Sequence, residues 1–178
     1  MQTPTTTIEI SHKHVLQDAW RETSYIARKA PADKNDEDRR DRLSMIEEDA
    51  EALDRSFAEA AEMIRRTAAE YVRRYHFHKS PGEPVRVVIE LSLPRNYPPG
   101  HFKSAEEFAH HYAVMRLVAD WMRLTGQGDM LKEYERKAAE DLAMLAEALD
   151  RRERPRPPRR FRTESTPHKE TNNHAGEN

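Results

Sequence analysis

Apolar side chains occupy every second position between Val85 and Leu93, where the chain reads Val-Arg-Val-Val-Ile-Glu-Leu-Ser-Leu. This alternation is typical of a β-strand that buries one face. A lone strand cannot satisfy its own backbone groups, so it must pair with another part of the chain or with a neighbouring copy. The candidate subunit-interface strand therefore consists of Val85, Val87, Ile89, Leu91 and Leu93.

A turn precedes this strand and predicts its pairing. Ser80-Pro81-Gly82-Glu83 fits a type II turn, in which Pro occupies the second position and Gly the third. The simplest arrangement is a hairpin of about 74–79 with 85–93. Because a two-stranded hairpin is only marginally stable in water, it needs a helix or a neighbour to cover it. Ile8–Ile10 is a candidate for a third strand.

Four helices are predicted from apolar spacings of three and four residues. The first spans roughly 12–29 after the cap Ser11, and the fourth follows a break at Thr125-Gly126 and runs antiparallel to the third. The second is predicted to be a long helix of about 35 residues, roughly 50 Å in length, with one apolar stripe that includes Leu43 and Tyr71. For the third, Ser104 and Glu107 form a capping box that places the helix start at Ser104.

The predicted fold class is mainly α: a helical bundle of about four helices, one of them long, with a small β-hairpin between helices 2 and 3. The predicted organisation is an N-terminal arm over 1–10 and a helical domain over 11–152, with the hairpin at about 74–93. An Arg/Pro-rich tail over 153–178 is predicted to be largely disordered, because prolines forbid helix and its end has almost no apolar content.

Composition narrows the class of protein. Of the 178 residues, 37% are hydrophobic and 35% charged, which still supplies a modest core. The absence of cysteine excludes disulfides and thiolate metal sites. No apolar run approaches the length of a membrane span, and the first residues lack the features of a secretion signal. We therefore expect a soluble intracellular protein with no membrane partner.

Positive charge is concentrated near the C-terminus. Residues 151–162 carry a net charge of +6, so the rest of the chain sums to −8. An acidic body with a basic arm suggests contact with a polyanion or with an acidic neighbour. Nucleic acid, a protein neighbour and no specific role all remain open for the arm. Its candidate contact residues are Arg151, Arg152, Arg154, Arg156, Arg159, Arg160 and Arg162.

Candidate catalytic chemistry is sparse. His76 and His78 would share one face of a strand, whereas the adjacent His110 and His111 would diverge on a helix. No histidine motif offers a credible third metal ligand. The paired carboxylates lie on polar helix faces, and the five glycines form no phosphate loop or nucleophile elbow. We expect no catalytic residue, no metal, no cofactor and no enzymatic activity.

Several segments together resemble a known group of proteins. They are residues 19–29 (AWRETSYIARK), the long helix with 57–61 (FAEAA), the strand running into 91–98 (LSLPRNYP), 118–125 (VADWMRLT) and 151–157 (RRERPRP). In this order they resemble small proteins of phages and prophages of gut Bacteroidales bacteria, encoded among capsid, neck and tail genes.

The resemblance implies a virion structural or assembly protein, such as a head–tail connector, neck or tail-completion subunit. Its expected partners are other virion proteins or copies of itself, with DNA as a further partner of the C-terminal arm. The expected location is the virion or the host cell cytoplasm. The histidine-rich segment 76–78 and the end of the tail, 163–178, depart from the pattern.

Three rival functions stay open at the level of sequence. A small DNA-binding regulator would need an outward-facing recognition helix, for which Lys132, Arg136 and Lys137 on the fourth helix are weak candidates. A metal-dependent enzyme would have to use the histidines. An adaptor or toxin-neutralising protein would fold around its partner.

Overall fold

The computed structural model describes residues 5–29, 45, 49–80 and 84–152. Within these ranges the chain is mostly helical and contains one small antiparallel sheet. The elements in chain order are β1 (Thr5–Ser11), α1 (His12–Lys29), α2 (Ala50–Thr67), β2 (Val72–His78), β3 (Arg86–Ser92), a short 3-10 turn (Pro99–His101), α3 (Phe102–Leu124) and α4 (Gly128–Asp150).

The sheet has the strand order β1-β3-β2, and both pairings are antiparallel. Ile89 of β3 lies opposite Ile8 on one side and Tyr75 on the other. A register shift between Val72 and Arg74 marks a bulge in β2. The predicted hairpin and the predicted third strand are therefore present. Of the predicted turn, residues 81–83 lie outside the described residues.

The two faces of the sheet differ sharply in polarity. The inner face carries Val87, Ile89 and Leu91 of β3, together with Ile8 and Ile10 of β1, all of which are buried in the core. Of the predicted apolar row, Leu93 is buried and Val85 is partly buried, both just outside β3. The outer face carries Glu9, Arg74, His76, Arg86 and other polar residues. The N-terminal arm predicted over 1–10 is accordingly a strand from Thr5 onward, because its isoleucines complete the inner face.

Helix α3 is the centre of the molecule. Twelve of its residues are buried, and it packs against α1, α2, α4 and β1. A three-residue connection joins it to α4. The contacts Arg123–Glu135 near one end and His111–Asp141 farther along show that the two helices run antiparallel, as predicted.

The predicted bounds of two helices were wrong. Instead of one long helix from Leu43 to Tyr71, α2 spans only Ala50–Thr67, and Met45 lies outside any helix. The C-terminal end comes early because Tyr71 N–H donates to Ala68 O and the following residues pair with β3. Leu43 and Ile46 themselves lie outside the described residues.

The other wrong boundary is the start of the third helix, which begins at Phe102 after His101 and has no side-chain cap. The 3-10 turn leads directly into α3, since His101 N–H already donates to Pro98 O. Ser104 therefore lies within the first turn of the helix rather than before it. The local capping motif was overridden by the conformation of the preceding loop.

Candidate functional site

The strand predicted as a subunit interface is internal to the sheet of this chain. Strand β3 is hydrogen-bonded on both sides, to β1 and to β2. Val87, Ile89 and Leu91 are fully buried, and Leu93 nearly so. Val85 is partly buried, and its carbonyl accepts a hydrogen bond from the His12 backbone N–H at 3.0 Å. The expectation of a subunit contact through β3 therefore loses its basis, and the two outer strands hold the free edges.

The first two arginines of the basic arm are bound to the body. Arg152 donates to the Tyr71 hydroxyl at 2.7 Å and to the Leu149 carbonyl at 2.9 Å, and its guanidinium lies 5.5 Å from the centre of the Tyr71 ring. Arg151 donates to His101 Nδ1 at 3.0 Å and to Glu147 at 3.1 Å. Arg152, near the start of the arm, therefore lies beside Tyr71, the residue immediately before β2.

The Tyr71 hydroxyl that accepts from Arg152 makes a second contact, with α4. The Tyr71 hydroxyl donates to Asp150 Oδ1 at 2.6 Å, so one hydroxyl links the start of β2 to the end of α4. Burial and Asp150 raise the pKa of Tyr71, whereas Arg152 opposes this change. The remaining candidate contacts, Arg154, Arg156, Arg159, Arg160 and Arg162, lie outside the described residues.

The outer face of β2 is exposed and carries basic residues. His76 and His78 share this face, as predicted, and their ring centres lie 5.9 Å apart. Arg74 lies on the same face, and its nearest carboxylate oxygen, on Glu90, is 3.9 Å away. Such a long, exposed ion pair contributes little to stability and leaves the guanidinium available to other anions.

Three other histidines connect different helices. His12 Nε2 lies 3.6 Å from Asp54 Oδ1, between α1 and α2. His110 contacts Asp18 of α1 at 2.8 Å, and His111 contacts Asp141 of α4 at 2.7 Å. Over the ranges that the structure describes, no group of three or more His, Cys, Asp or Glu residues is arranged to hold a metal ion. These imidazoles serve as links between helices.

A groove of about 620 Å³ lies between α2 and α3. Glu62, one of its charged side chains, accepts hydrogen bonds from Arg65 and Arg66, which lower its pKa to about 2. Arg55 donates to Glu59 at 2.9 Å, and Arg116 approaches the same carboxylate at 3.9 Å. The groove therefore holds ion pairs within α2 and a longer one between α2 and α3. It is lined by Arg55, Ala58, Glu59, Glu62, Met63, Arg66, Tyr112 and Arg116.

The weak recognition-helix candidates are mostly paired along α4. Arg136 binds Glu140, and Lys137 lies 2.9 Å from Glu133 and 4.4 Å from the centre of the Tyr134 ring. Lys132 is exposed. This face of α4 is thus a row of i,i+4 ion pairs, which is typical of a solvated helix surface.

The fold and its contacts define a mostly helical protein with a small antiparallel sheet. No protein-family model, curated protein or solved structure matches this chain. Among the helices of the described ranges, none combines the length and the hydropathy that a membrane crossing requires.

Proposed function

We propose that the protein is a structural or assembly subunit of a phage particle, at the head–tail connector, neck or tail-completion stage, which acts by packing against its neighbours. The resemblance of residues 19–29, 91–98 and 118–125 to small phage proteins supports this proposal. So does the architecture, a helical bundle whose helices cover one side of a hairpin extended by a third strand. Its partners would be other virion proteins or copies of itself.

The free edge of β1 is the observation that carries the proposal. Strand β1 pairs with β3 on one side, and over the described residues no backbone group of its other edge has a partner. Its seven residues include one charged side chain, Glu9, and no bulge. An unprotected edge of this kind accepts a further strand from another chain.

The other edge of the sheet is protected. Strand β2 carries a bulge next to Arg73, followed by Arg74, and bulges and charges are the devices that prevent strand addition. The contrast between the two edges favours β1 as the contact. It also identifies a position at which that contact can be blocked without disturbing the core, the exposed Thr7.

The test compares Thr7→Lys with Asn96→Lys, a matched control that adds the same charge at an exposed position in the loop after β3. Sedimentation velocity over a concentration series should show assembly of the wild type and of the control. The Thr7→Lys variant should stay monomeric, because a lysine on an edge opposes strand pairing. A wild type that is monomeric at every concentration, or a Thr7→Lys variant that assembles normally, would contradict the proposal.

A small DNA-binding or regulatory adaptor protein that uses the basic arm is the second candidate function. One observation favours it: Arg151 and Arg152 hold the start of the arm in a defined place on the body. A regulator must prefer its own operator over other DNA, whereas an arm that contacts packaged DNA needs no sequence preference. Binding to a selected duplex that is far tighter than to random duplex would support the regulator.

A further inference from the structure

We propose that the strand which adds to β1 is the β1 of a second copy of this chain, antiparallel to the first and related to it by a two-fold axis at Thr7. This inference rests on the proposed assembly through the free edge of β1, and it names the partner at that edge. The two sheets would join into one sheet with the strand order β2-β3-β1-β1-β3-β2. The residues that make the contact, 5–9, all lie within β1.

The hydrogen bonds between β1 and β3 show which backbone groups of β1 face the free edge. His12 N–H, directly after β1, donates to Val85 O at 3.0 Å and continues the register of the two strands. In an antiparallel pair the hydrogen-bonded residues alternate along each strand. The even-numbered residues of β1 therefore bond to β3, and the odd-numbered residues direct their N–H and C=O groups to the free edge. The side chains at positions 5, 7 and 9 are exposed.

A two-fold axis restricts the register of two paired β1 strands. Opposite residues of an antiparallel pair lie on the same face, so the two apolar faces stay on one side only if odd positions meet odd positions. The axis must then pass through a residue of β1 rather than between two residues. The centres that pair at least five residues of the seven-residue strand are Thr7, Ile8 and Glu9.

The charge of Glu9 selects among these three centres. An axis at Glu9 sets the two carboxylates directly opposite each other, and an axis at Ile8 makes them diagonal neighbours about 7–8 Å apart. An axis at Thr7 separates them by four residues along the strand, about 14 Å, which exceeds the Debye length of about 8 Å at physiological salt. Glu9 then lies opposite the neutral Thr5 of the second copy, and it already faces Arg86 at 3.4 Å within its own chain.

Pairing about Thr7 satisfies the free edge and ends strand addition. Positions 5 and 9, 7 and 7, and 9 and 5 each exchange two hydrogen bonds, about six in all. A two-fold contact uses the same surface on both copies, so neither β1 edge remains free. The edges left are the two β2 strands, which carry the bulge and Arg74 that oppose strand addition. β1 is thus complementary to itself, and a dimer is the end point of strand addition between copies.

Disulfide cross-linking tests the two-fold axis, because the chain contains no cysteine and an introduced thiol is its only one. Thr7→Cys should form a disulfide between two copies under mild oxidation, since hydrogen-bonded opposite residues have Cα atoms about 5.5 Å apart, a distance that a disulfide spans. Asn96→Cys, at an exposed position in the loop after β3, is the matched control. On non-reducing gels we expect about tenfold more linked dimer from Thr7→Cys than from the control.

Two further variants test the direction and register of the strands. Thr5→Cys alone should not cross-link, because the antiparallel pairing holds the two copies of position 5 about 14 Å apart, whereas a parallel pairing would bring them together. An equal mixture of Thr5→Cys and Glu9→Cys should cross-link, because position 5 of one copy lies opposite position 9 of the other. The mixture also keeps the inference testable should thermal melting show that Thr7→Cys is unfolded.

Three results would overturn this inference: no disulfide in Thr7→Cys or in the mixture, a disulfide in Thr5→Cys alone as abundant as in Thr7→Cys, or a wild type that sediments as species larger than a dimer. In each case, wild-type assembly that Thr7→Lys abolishes would leave the proposed contact through β1 standing. A wild type that is monomeric at every concentration would reject both the proposed assembly and this inference.

Discussion

His12 lies in an environment that differs from that of a free side chain. It lies at the junction of β1 and α1, and its ring packs 4.7 Å from that of Phe57. Its Nε2 is buried without a hydrogen-bond partner, 3.6 Å from Asp54. Burial lowers the pKa of His12 below its ordinary 6.5; Asp54 opposes this change and Lys79 adds to it. The native state therefore favours the neutral imidazole.

This burial predicts a loss of stability in mild acid. In the unfolded chain His12 takes up a proton near pH 6.5, whereas the folded protein takes it up only at lower pH, so the contribution to stability is present above pH 6.5 and declines below it. His12→Gln should lose less stability than the wild type between about pH 7.5 and about pH 5, as measured by urea unfolding. His14→Gln, at an exposed position two residues on, is the control. Equal wild-type and His12→Gln losses would contradict the prediction.

The connection between α3 and α4 shows how an element ends. Gly126 has φ +74°, in the left-handed region. Its N–H donates to Arg123 O at 3.3 Å, and Gln127 N–H donates to Met122 O at 2.8 Å. This is the Schellman motif, which satisfies the last carbonyls of a helix and suits glycine. The antiparallel packing of α3 on α4 depends on this turn.

Two neighbouring glycines allow a matched test of the turn. Gly126→Ala should lower the free energy of unfolding by about 1–2 kcal/mol, because an L-residue is strained at this φ. Gly128→Ala, at the first residue of α4, should be neutral or raise it by up to about 1 kcal/mol by restricting the unfolded chain. An added Cβ meets no heavy atom within 4 Å at either position, so steric overlap does not contribute to the difference in stability between the two variants. Equal effects in urea unfolding would exclude the conformational explanation.

At the scale of the whole molecule, α3 organises the core. Leu117 near its middle is fully buried, whereas Leu124 at its end is 64% exposed. Because each of the other helices in the described ranges packs on α3, a cavity there weakens contacts with all of them. A partly buried polar contact joins two of the helices that pack on α3: the Tyr134 hydroxyl of α4 donates to Glu22 of α1 at 2.7 Å.

Substitutions of these two leucines should change the free energy of unfolding by very different amounts. Leu117→Ala should lower the free energy of unfolding by about 2–5 kcal/mol, through lost burial and the cavity left behind. Leu124→Ala should change it by less than about 0.5 kcal/mol, because its side chain remains largely in water in the folded state. Thermal or urea unfolding of both variants checks this. A similar cost at the two positions would show that α3 is not the central helix.

Periodicity in the chain anticipated much of the fold. Helix α1 has the predicted bounds, and the hairpin and third strand pair as expected, because alternation and turn chemistry are local signals. The C-terminal end of α2 could not be predicted, since the spacing of Ala68 and Tyr71 fits a longer helix as well as the turn that the structure has there. The turn is favoured because the residues after it pair with β3, which is distant in sequence.

The candidate site was less predictable than the fold. The arginine arm could be identified from composition, and the shared face of His76 and His78 on β2 from their spacing in the sequence. The contacts between distant residues could not be predicted: His110–Asp18 and Arg152–Tyr71 join residues 92 and 81 positions apart. No local pattern encodes such a pair, because each partner by itself is an ordinary polar residue on an amphipathic helix or at a strand end.

The amino-acid sequence by itself determined the element types, the apolar face of β3 and the separation of an acidic body from a basic arm, because these depend on neighbours along the chain. Only the tertiary structure decided that β3 is an internal strand, that the free edges belong to β1 and β2, and that Arg152 lies beside Tyr71. Those features depend on which surfaces meet when the helices close over the sheet, and that is a property of packing across long sequence distances.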